Sequence, residues 1–293
     1  MRRSVNTVSI KKKLSDFSEL VMFQHSVFSL PFIFVAMVVA ADGWFGWRLL
    51  ILGALAAVTA RNFAMGVNRY LDRDIDALNP RTKGRPSVDG RVSEGQMLGF
   101  IALNAAAFIV VAWAINDLAF KLSIPILIVL GAYTLFKRFS ALAHLVLGVS
   151  LGLAPIAGAV AVEAAIPAWS LWLAAGVTFW VAGFDLLYSL QDMEFDRRHG
   201  LHSIPAKLGA RKTMNLAAVF HLITILCWEF FVRDAGLGSW AQFAVLLSGG
   251  MLGYEHYLVR RDFRQIDRAF FTVNGYLGFL FFALIVLDVS MRG

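Results

Sequence analysis

Three polar side chains recur at four-residue spacing where an apolar segment ends: Asn68, Asp72 and Asp76, in the stretch NRYLDRDID. If this stretch is helical, the three side chains line one face, one turn apart. Stacked carboxylates repel one another unless a cation neutralises them. Mg²⁺ suits such oxygen ligands, since it is usually bound by one or two carboxylates together with water and phosphate oxygens. The alternative is a solvated helix end, and this motif alone leaves both interpretations equally open.

A second acidic group closes a later apolar segment, in FDLLYSLQDMEFD. It contains Asp185, Asp192 and Asp196, and the last two are again four residues apart. Two such clusters facing each other would form a clamp in which cations balance the charge of a diphosphate and stabilise it as a leaving group. The sequence therefore predicts a metal–diphosphate site built from two distant parts of the chain.

Basic side chains near both clusters would complete such a site. The stretch NPRTKGRP supplies Arg81, Lys83 and Arg85, and YTLFKRFS supplies Lys137 and Arg138. The alternative is ordinary retention of positive charge on the cytoplasmic side of a membrane, and for Lys83 we expect no more than that.

Arg61 differs from these residues because it lies inside an apolar segment, seven residues before Asn68 and on the same predicted helix face. A charged side chain within a membrane is costly and usually has a function. We therefore expect Arg61 to point into a polar cavity and to face an anion there.

The elements that position these residues must be membrane helices. Of the 293 residues, 58% are hydrophobic and only 16% are charged, whereas soluble domains are about a quarter charged; the mean hydropathy is +0.66. The net charge of +7 does not indicate nucleic-acid binding, because the basic residues lie in short loops between apolar segments. The single Cys227, in an apolar run, is interpreted as a small apolar filler.

A helix needs about 20 apolar residues to cross the hydrocarbon core. The continuous apolar runs exclude a β-barrel, and only INDL separates the third run from the fourth. We predict an all-α membrane protein with nine spans, at about 21–41, 48–71, 95–115, 119–136, 141–162, 168–190, 211–232, 237–257 and 270–290.

The distribution of Lys and Arg predicts the orientation. Most of them lie in the N-terminal arm and in the loops after spans two, four, six and eight, and basic loops stay in the cytoplasm. We therefore expect a cytoplasmic N-terminus, an external C-terminus and polar clusters that face the cytoplasm. Residues 1–19 are interpreted as a basic cytoplasmic arm rather than a cleaved signal. The chain, 1–293, is predicted to be one polytopic domain, and the motifs at 68–76 and 185–196 suggest an internal duplication.

Taken together, these motifs resemble the UbiA superfamily of intramembrane aromatic prenyltransferases over nearly the whole chain. The matching positions are Arg61 with Asn68, Asp72 and Asp76; Arg81 and Arg85; Tyr133, Lys137 and Arg138; and Asp185, Tyr188, Asp192 and Asp196, trailed by Gly200 and Ser203.

The resemblance implies a nine-helix bundle in the bacterial inner membrane that transfers a polyprenyl group from its diphosphate to an aromatic hydroxy acid. It implies Mg²⁺ as cofactor and no obligate protein partner. The implied roles are metal binding by Asn68, Asp72, Asp192 and Asp196; diphosphate binding by Lys137, Arg138, Arg81 and Arg85; and catalysis by Asp76, Asp185, Arg61 and Tyr188.

The chain departs from the family pattern at two places. Many members carry Asp directly after the motif's Asn, where this chain has Arg69. Many 4-hydroxybenzoate enzymes carry Lys-Pro in span one, where this chain has His25 and Ser26. That stretch and YEHYLVRRDFRQIDRAFF resemble the branch linked to menaquinone synthesis by the futalosine route, which implies a dihydroxynaphthoate acceptor. His25 either orients or deprotonates the acceptor or is a hydrogen-bonded helix residue.

Two other classes of protein remain alternatives. A transporter also carries intramembrane charge and repeated halves, but its polar groups are expected near the bilayer midplane. A CDP-alcohol phosphatidyltransferase also uses membrane carboxylates, but on a single helix pair. Small residues in span five either open a groove for the prenyl tail or allow close helix packing: Gly148, Gly152, Ala154, Gly158 and Ala159.

Overall fold

The computed structural model describes residues 12–13, 15–21 and 30–292, with the side chain of Lys137 excepted. Within these residues every regular element is a helix. In chain order the α-helices are α1 Leu30–Ala40, α2 Trp47–Leu71, α3 Arg73–Leu78, α4 Glu94–Ile115, α5 Asp117–Ala132, α6 Ala143–Glu163, α7 Ala168–Tyr188, α8 Met193–Arg198, α9 Ile204–Leu208, α10 Ala210–Asp234, α11 Ser239–Arg261 and α12 Asn274–Ser290. Tighter or wider turns extend several of them: 3₁₀ segments at Tyr133–Arg138, Ser189–Asp192 and Phe263–Gln265, and a π-helical segment at Arg268–Val273.

Seven helical segments are long and apolar enough to cross a membrane, and they contain α2, α4, α5, α6, α7, α10 and α12. The chain is therefore a multi-pass membrane protein. The predicted first and eighth spans correspond to α1 and α11. Only 11 residues of α1 lie in the described part of the chain, and α11 carries Glu255, His256 and two terminal arginines. The count of nine spans stays a prediction.

Capping explains why the third and fourth spans separate at INDL. Asn116 has an extended backbone, and its side-chain oxygen accepts a hydrogen bond from the Ala119 amide at 2.8 Å, which starts α5. Its side-chain nitrogen donates to the Val160 carbonyl at 2.7 Å. One residue thus ends α4, begins α5 and ties both helices to α6.

The helices form one bundle in which α1 lies against α6 and α12. The pairs α6–α7, α7–α10, α10–α11 and α11–α12 pack in sequence, and α2 packs on α4 and α5. The main apolar core is aromatic and includes Phe32, Trp180, Trp228, Phe231 and Phe281. Their rings are separated by about one ring diameter, as for Phe32 and Trp180 at 5.0 Å, which is the usual spacing of packed aromatic pairs.

The glycines of α6 serve close packing rather than an open groove. A Cβ atom on Gly148 would lie 2.2 Å from the Thr178 carbonyl oxygen of α7, and one on Gly152 would lie 2.2 Å from Thr178 Oγ1. A Cβ on Gly158 would lie 2.4 Å from the Ile33 carbonyl oxygen of α1. Close helix packing therefore accounts for the glycines. Ala154, in contrast, lines a cavity.

Both acidic motifs lie where a helix breaks, and this corrects the expectation of a single continuous helix face. α2 ends at Leu71, Asp72 caps it with φ −91° and ψ 4°, and α3 restarts at Arg73. Likewise α7 ends at Tyr188, and a 3₁₀ segment over Ser189–Asp192 leads into α8. Broken helices, which the sequence did not reveal, therefore present the carboxylates.

Candidate active site

The two acidic clusters line one polar cavity of about 250 Å³, at the ends of α2 and α7. Both motifs contribute, from opposite walls: Asn68, Asp72 and Asp76 on one side, and Asp185, Asp192 and Asp196 on the other. The structure therefore brings together all six members of the two motifs, although about 120 residues separate Asp72 from Asp192.

The first cluster is buried and internally hydrogen-bonded. Asp72 is only 1% exposed, and its Oδ2 accepts a hydrogen bond from Asn68 Nδ2 at 2.9 Å. Asn68 Nδ2 also reaches Thr134 Oγ1 at 3.1 Å. Arg69, the departure from the family pattern, donates to Asn68 Oδ1 at 2.7 Å and to the Leu20 carbonyl at 3.3 Å. It therefore orients the amide of the motif.

The second cluster is held by the basic loop between α3 and α4. Arg81 forms a two-pronged contact with Asp192, from Nε at 3.1 Å and from Nη2 at 2.5 Å. Asn79 Nδ2 donates to the same carboxylate at 3.1 Å, and the Arg81 guanidinium also lies 5.7 Å from the centre of the Tyr188 ring. This loop follows the first motif in the chain, so it joins the two clusters.

Arg85 completes this bridge on the side of the first motif. Its Nη1 contacts Asp76 Oδ2 at 2.6 Å, and Thr82 Oγ1 donates to the Asp76 carbonyl at 2.9 Å. Arg81 and Arg85 therefore both line the polar cavity, and each is paired with a different acidic cluster.

Arg138 is an exception, and its predicted place beside the clusters is corrected. Its guanidinium contacts both carboxylate oxygens of Asp74, at 3.0 and 2.7 Å, and also donates to the Leu71 carbonyl at the end of α2. It is absent from the lining of the polar cavity. The hydrogen bond from Arg138 lowers the pKa of the Asp74 carboxyl. The side chain of Lys137 lies outside the described residues, as does His25.

A larger cavity of about 360 Å³ adjoins the polar one, between α2, α5, α6 and α7. Its wall is mainly apolar, with residues such as Ile33, Phe108 and Leu130. Arg61 lines this cavity and not the polar one, which corrects the prediction that it points into a polar space. The residues common to both linings mark the junction of the cavities: Asn68, Arg69, Arg81, Arg85, Tyr133, Leu147 and Asp185.

Tyr188 and Asp185 lie at the end of α7, one turn apart. Tyr188 lines the apolar cavity and packs against Phe270, with ring centres 4.3 Å apart. Asp185 Oδ2 lies 2.7 Å from His144 Nδ1. His144 was assigned no role from the sequence, and neither were Asn79 and Thr134. Their partners lie on other elements, so no local spacing could have indicated them.

The residues present fit a divalent cation by their donor chemistry. Each motif offers carboxylate oxygens, with an amide oxygen in the first, and Mg²⁺ typically takes one or two carboxylates and completes its shell with water and phosphate. Among the described residues no three acidic, His or Cys side chains converge on one point. The donor set therefore fits cations shared with a phosphate ligand rather than cations enclosed by protein.

Comparison with known proteins places this architecture in a family. A sequence profile of the UbiA prenyltransferase family matches residues 29–285. The 4-hydroxybenzoate octaprenyltransferase of Herminiimonas arsenicoxydans is 31% identical over 262 residues, which cover 88% of this chain and 90% of that protein. The enzyme of the same name from Paracidovorax citrulli is 32% identical over 258 residues, 88% of this chain and 87% of that one.

Solved structures agree with the sequence comparison. The apo structure of a UbiA homologue from Aeropyrum pernix K1 superposes with a TM-score of 0.82 at 33% identity, covering 90% of this chain and 98% of that one. A UbiA homologue from Archaeoglobus fulgidus, solved with GPP and Mg²⁺, has the same fold, with a TM-score of 0.75 at 20% identity over 94% of this chain and 99% of that one. The chain belongs to the UbiA prenyltransferase family and is a prenyl-transferring membrane enzyme.

Proposed function

We propose that this protein transfers a polyprenyl group from a polyprenyl diphosphate to an aromatic hydroxy acid, of the 4-hydroxybenzoate or dihydroxynaphthoate type. The observation that carries this proposal is the junction of the two cavities. A donor with an anionic head and an apolar tail needs a charged space that opens directly into an apolar one, and the two cavities share seven lining residues.

The diphosphate is assigned to the polar cavity. Arg81 and Arg85 line both cavities, so their guanidinium groups can bind the diphosphate where its prenyl chain begins. Lys137 and Arg138 are proposed to make secondary contacts with the diphosphate. Arg138 must leave Asp74 to make such a contact. Asp76 holds Arg85 in position, and fixed charges around the departing group favour cleavage of the carbon–oxygen bond.

Asn68, Asp72, Asp192 and Asp196 are proposed to hold Mg²⁺. Bound there, the ion would balance the diphosphate charge and stabilise it as a leaving group. The relatives in solved structures that carry Mg²⁺ with a prenyl diphosphate have the same fold, and this supports the choice of a divalent cation.

The aromatic acid is assigned to the apolar cavity. Arg61 lies in its wall with Tyr133, Asp185 and Tyr188, and a buried guanidinium suits a carboxylate because its planar fork binds both oxygens. The ring would then lie at the junction, where the prenyl carbon becomes electrophilic as the diphosphate departs. The curated relatives are named for 4-hydroxybenzoate, and the N-terminal stretch that resembles the menaquinone branch supports dihydroxynaphthoate.

We further propose that the chain is one domain with nine spans and that the polar cavity faces the cytoplasm. The packing of α1 and α11 within the same bundle as the seven long helices supports the first point. The basic loop that lines the polar cavity supports the second, since such loops stay in the cytoplasm.

A substrate panel tests the proposal. Purified protein with Mg²⁺ and a radiolabelled polyprenyl diphosphate is offered 4-hydroxybenzoate, a dihydroxynaphthoate or benzoate, and lipid-soluble label is measured. We expect prenylation of one hydroxy acid and none of benzoate, which lacks the activating hydroxyl. Transfer from a CDP-lipid, or solute uptake without prenyl transfer, would overturn the proposal.

A further inference from the structure

A histidine–aspartate pair lies in the wall of the polar cavity, and its histidine has no role assigned so far. His144 is the second residue of α6 and is 6% exposed. It lines the polar cavity together with Asp185, and the two side chains meet at 2.7 Å between Nδ1 and Oδ2. Asp185 reaches both cavities, so the pair lies beside their junction.

The geometry determines which nitrogen can act as a base. A carboxylate accepts the hydrogen bond of an imidazole N–H, so we assign the hydrogen of His144 to Nδ1, which leaves the free electron pair on Nε2. Nε2 is buried and has no hydrogen-bond partner in the described part of the chain. A buried polar atom without a partner is uncommon in folded proteins and calls for an explanation.

We propose that His144 is the base that removes the ring proton in the final step of the transfer, and that Asp185 is its positioning residue. This inference rests on the proposed function. As the carbon–oxygen bond of the donor breaks, its electron pair leaves with the diphosphate, and a ring carbon of the acceptor bonds to the prenyl carbon. His144 Nε2 then takes the proton from that ring carbon, and the carbon–hydrogen electron pair restores the aromatic ring. The Asp185 carboxylate balances the charge of the imidazolium.

The position of the reacting atoms supports this choice. The prenyl carbon is attached to the diphosphate until transfer, so the ring carbon that it attacks must lie close to the polar cavity. His144 lines that cavity and not the apolar one. His25 is the other histidine considered for proton transfer, and it lies outside the described residues.

The experiment uses the aromatic hydroxy acid that the wild-type protein prenylates in the panel above, deuterated at the carbon that is substituted. Turnover with the deuterated and undeuterated acids is compared for wild type, His144→Gln and Asp185→Asn. Glutamine can still donate to Asp185 but cannot take a proton at neutral pH. Asparagine keeps the size of the aspartate and an accepting oxygen but loses the charge.

For wild type we expect an isotope effect near one, because proton removal is fast. For His144→Gln we expect turnover to fall about a hundredfold, the usual contribution of a positioned base, with an isotope effect clearly above one. Asp185→Asn should show a smaller loss and a measurable isotope effect. Binding of a non-hydrolysable thio-analogue of the donor should stay at the wild-type level in both variants, which also demonstrates folding.

His256→Gln is the matched control. His256 is a partly buried membrane histidine that contacts His221 at 3.0 Å and lines neither cavity. We expect the His256→Gln variant to turn over the deuterated and undeuterated acids at the same rate, even if the substitution lowers its stability. Wild-type turnover in His144→Gln, or lost turnover with an isotope effect of one in both site variants, would overturn the inference. A wild-type protein that prenylates no acceptor would instead overturn the proposed function.

Discussion

Two aspartates only two positions apart show how the surroundings of a residue, rather than its type, select it for the proposed site. Asp72 is buried, lines the polar cavity and is hydrogen-bonded to Asn68. Asp74 is exposed and is paired with Arg138 on the outside of the bundle. The sequence NRYLDRDID contains both, and spacing alone selected Asp72.

Asp72→Ala should abolish prenyl transfer, while Asp74→Ala should retain it. Loss of this buried carboxylate, a proposed metal ligand, should raise the barrier by on the order of 3 kcal/mol, more than a hundredfold in rate, as for other lost electrostatic stabilisers. Asp192→Ala should match Asp72→Ala. Initial rates in detergent measure the effect, and thermal unfolding confirms that each variant folds. More than a tenth of wild-type activity in Asp72→Ala would contradict the clamp.

Arg61→Lys should separate acceptor binding from donor binding. Arg61 lines the apolar cavity only, and lysine keeps its charge but loses the fork that matches a carboxylate. The KM for the aromatic acid should rise about tenfold, which corresponds to about 1.4 kcal/mol, and the KM for the diphosphate should hardly change. If the KM of the diphosphate rises instead, Arg61 belongs to the donor site; no change in either would indicate a structural role.

At the scale of helices, hydropathy predicted most of the spans because a membrane of fixed thickness demands apolar runs of fixed length. It did not predict the breaks at Asp72 and Ser189–Asp192, since residues four apart satisfy a continuous helix equally well. Hydropathy also could not predict contacts between elements that are distant in the chain. His144 meets Asp185 only because α6 and α7 pack together, and that packing depends on glycines with no chemical signature of a site.

The close contact of α6 and α7 at Gly148 predicts that two Gly→Ala substitutions have opposite effects on stability. A Cβ on Gly148 would collide with the Thr178 carbonyl at 2.2 Å, so Gly148→Ala must push the two helices apart. We expect a loss of about 1–3 kcal/mol, the usual cost of overpacking, measured as a lower Tm in detergent. Gly99 of α4 has open space around it, so Gly99→Ala should leave Tm unchanged or raise it, because alanine favours a helix. Equal effects of the two substitutions would contradict the packing described.

At the scale of the whole molecule, the site joins two halves of one chain, and the proposed metal site depends on both. We expect transfer to stop in EDTA-washed membranes and to return on addition of Mg²⁺, because the carboxylates of both clusters repel a diphosphate unless a cation lies between them. Ca²⁺, a larger ion with less strict geometry, should restore less activity. Full transfer after EDTA treatment would refute the metal requirement.

The predicted orientation can be measured because the chain has one cysteine, Cys227, which is buried. In a Cys227→Ser background, Lys83→Cys in the basic loop should react with an impermeant thiol reagent only after the cells are opened. Ile166→Cys, at an exposed position in the loop between α6 and α7, should react in intact cells. The reverse pattern would invert the topology.

The ion pair between the basic loop and Asp192 affects the order in which the cation and the diphosphate donor bind. If Asp192 binds the metal as proposed, a cation that arrives alone must displace Arg81 and leave that guanidinium without an anion. A cation that arrives with a diphosphate supplies the anion that the displaced arginine then binds. Cation and donor would therefore raise each other's affinity by one common factor, as reciprocity demands. The empty enzyme would hold its metal loosely, and substrate itself would recruit the cofactor.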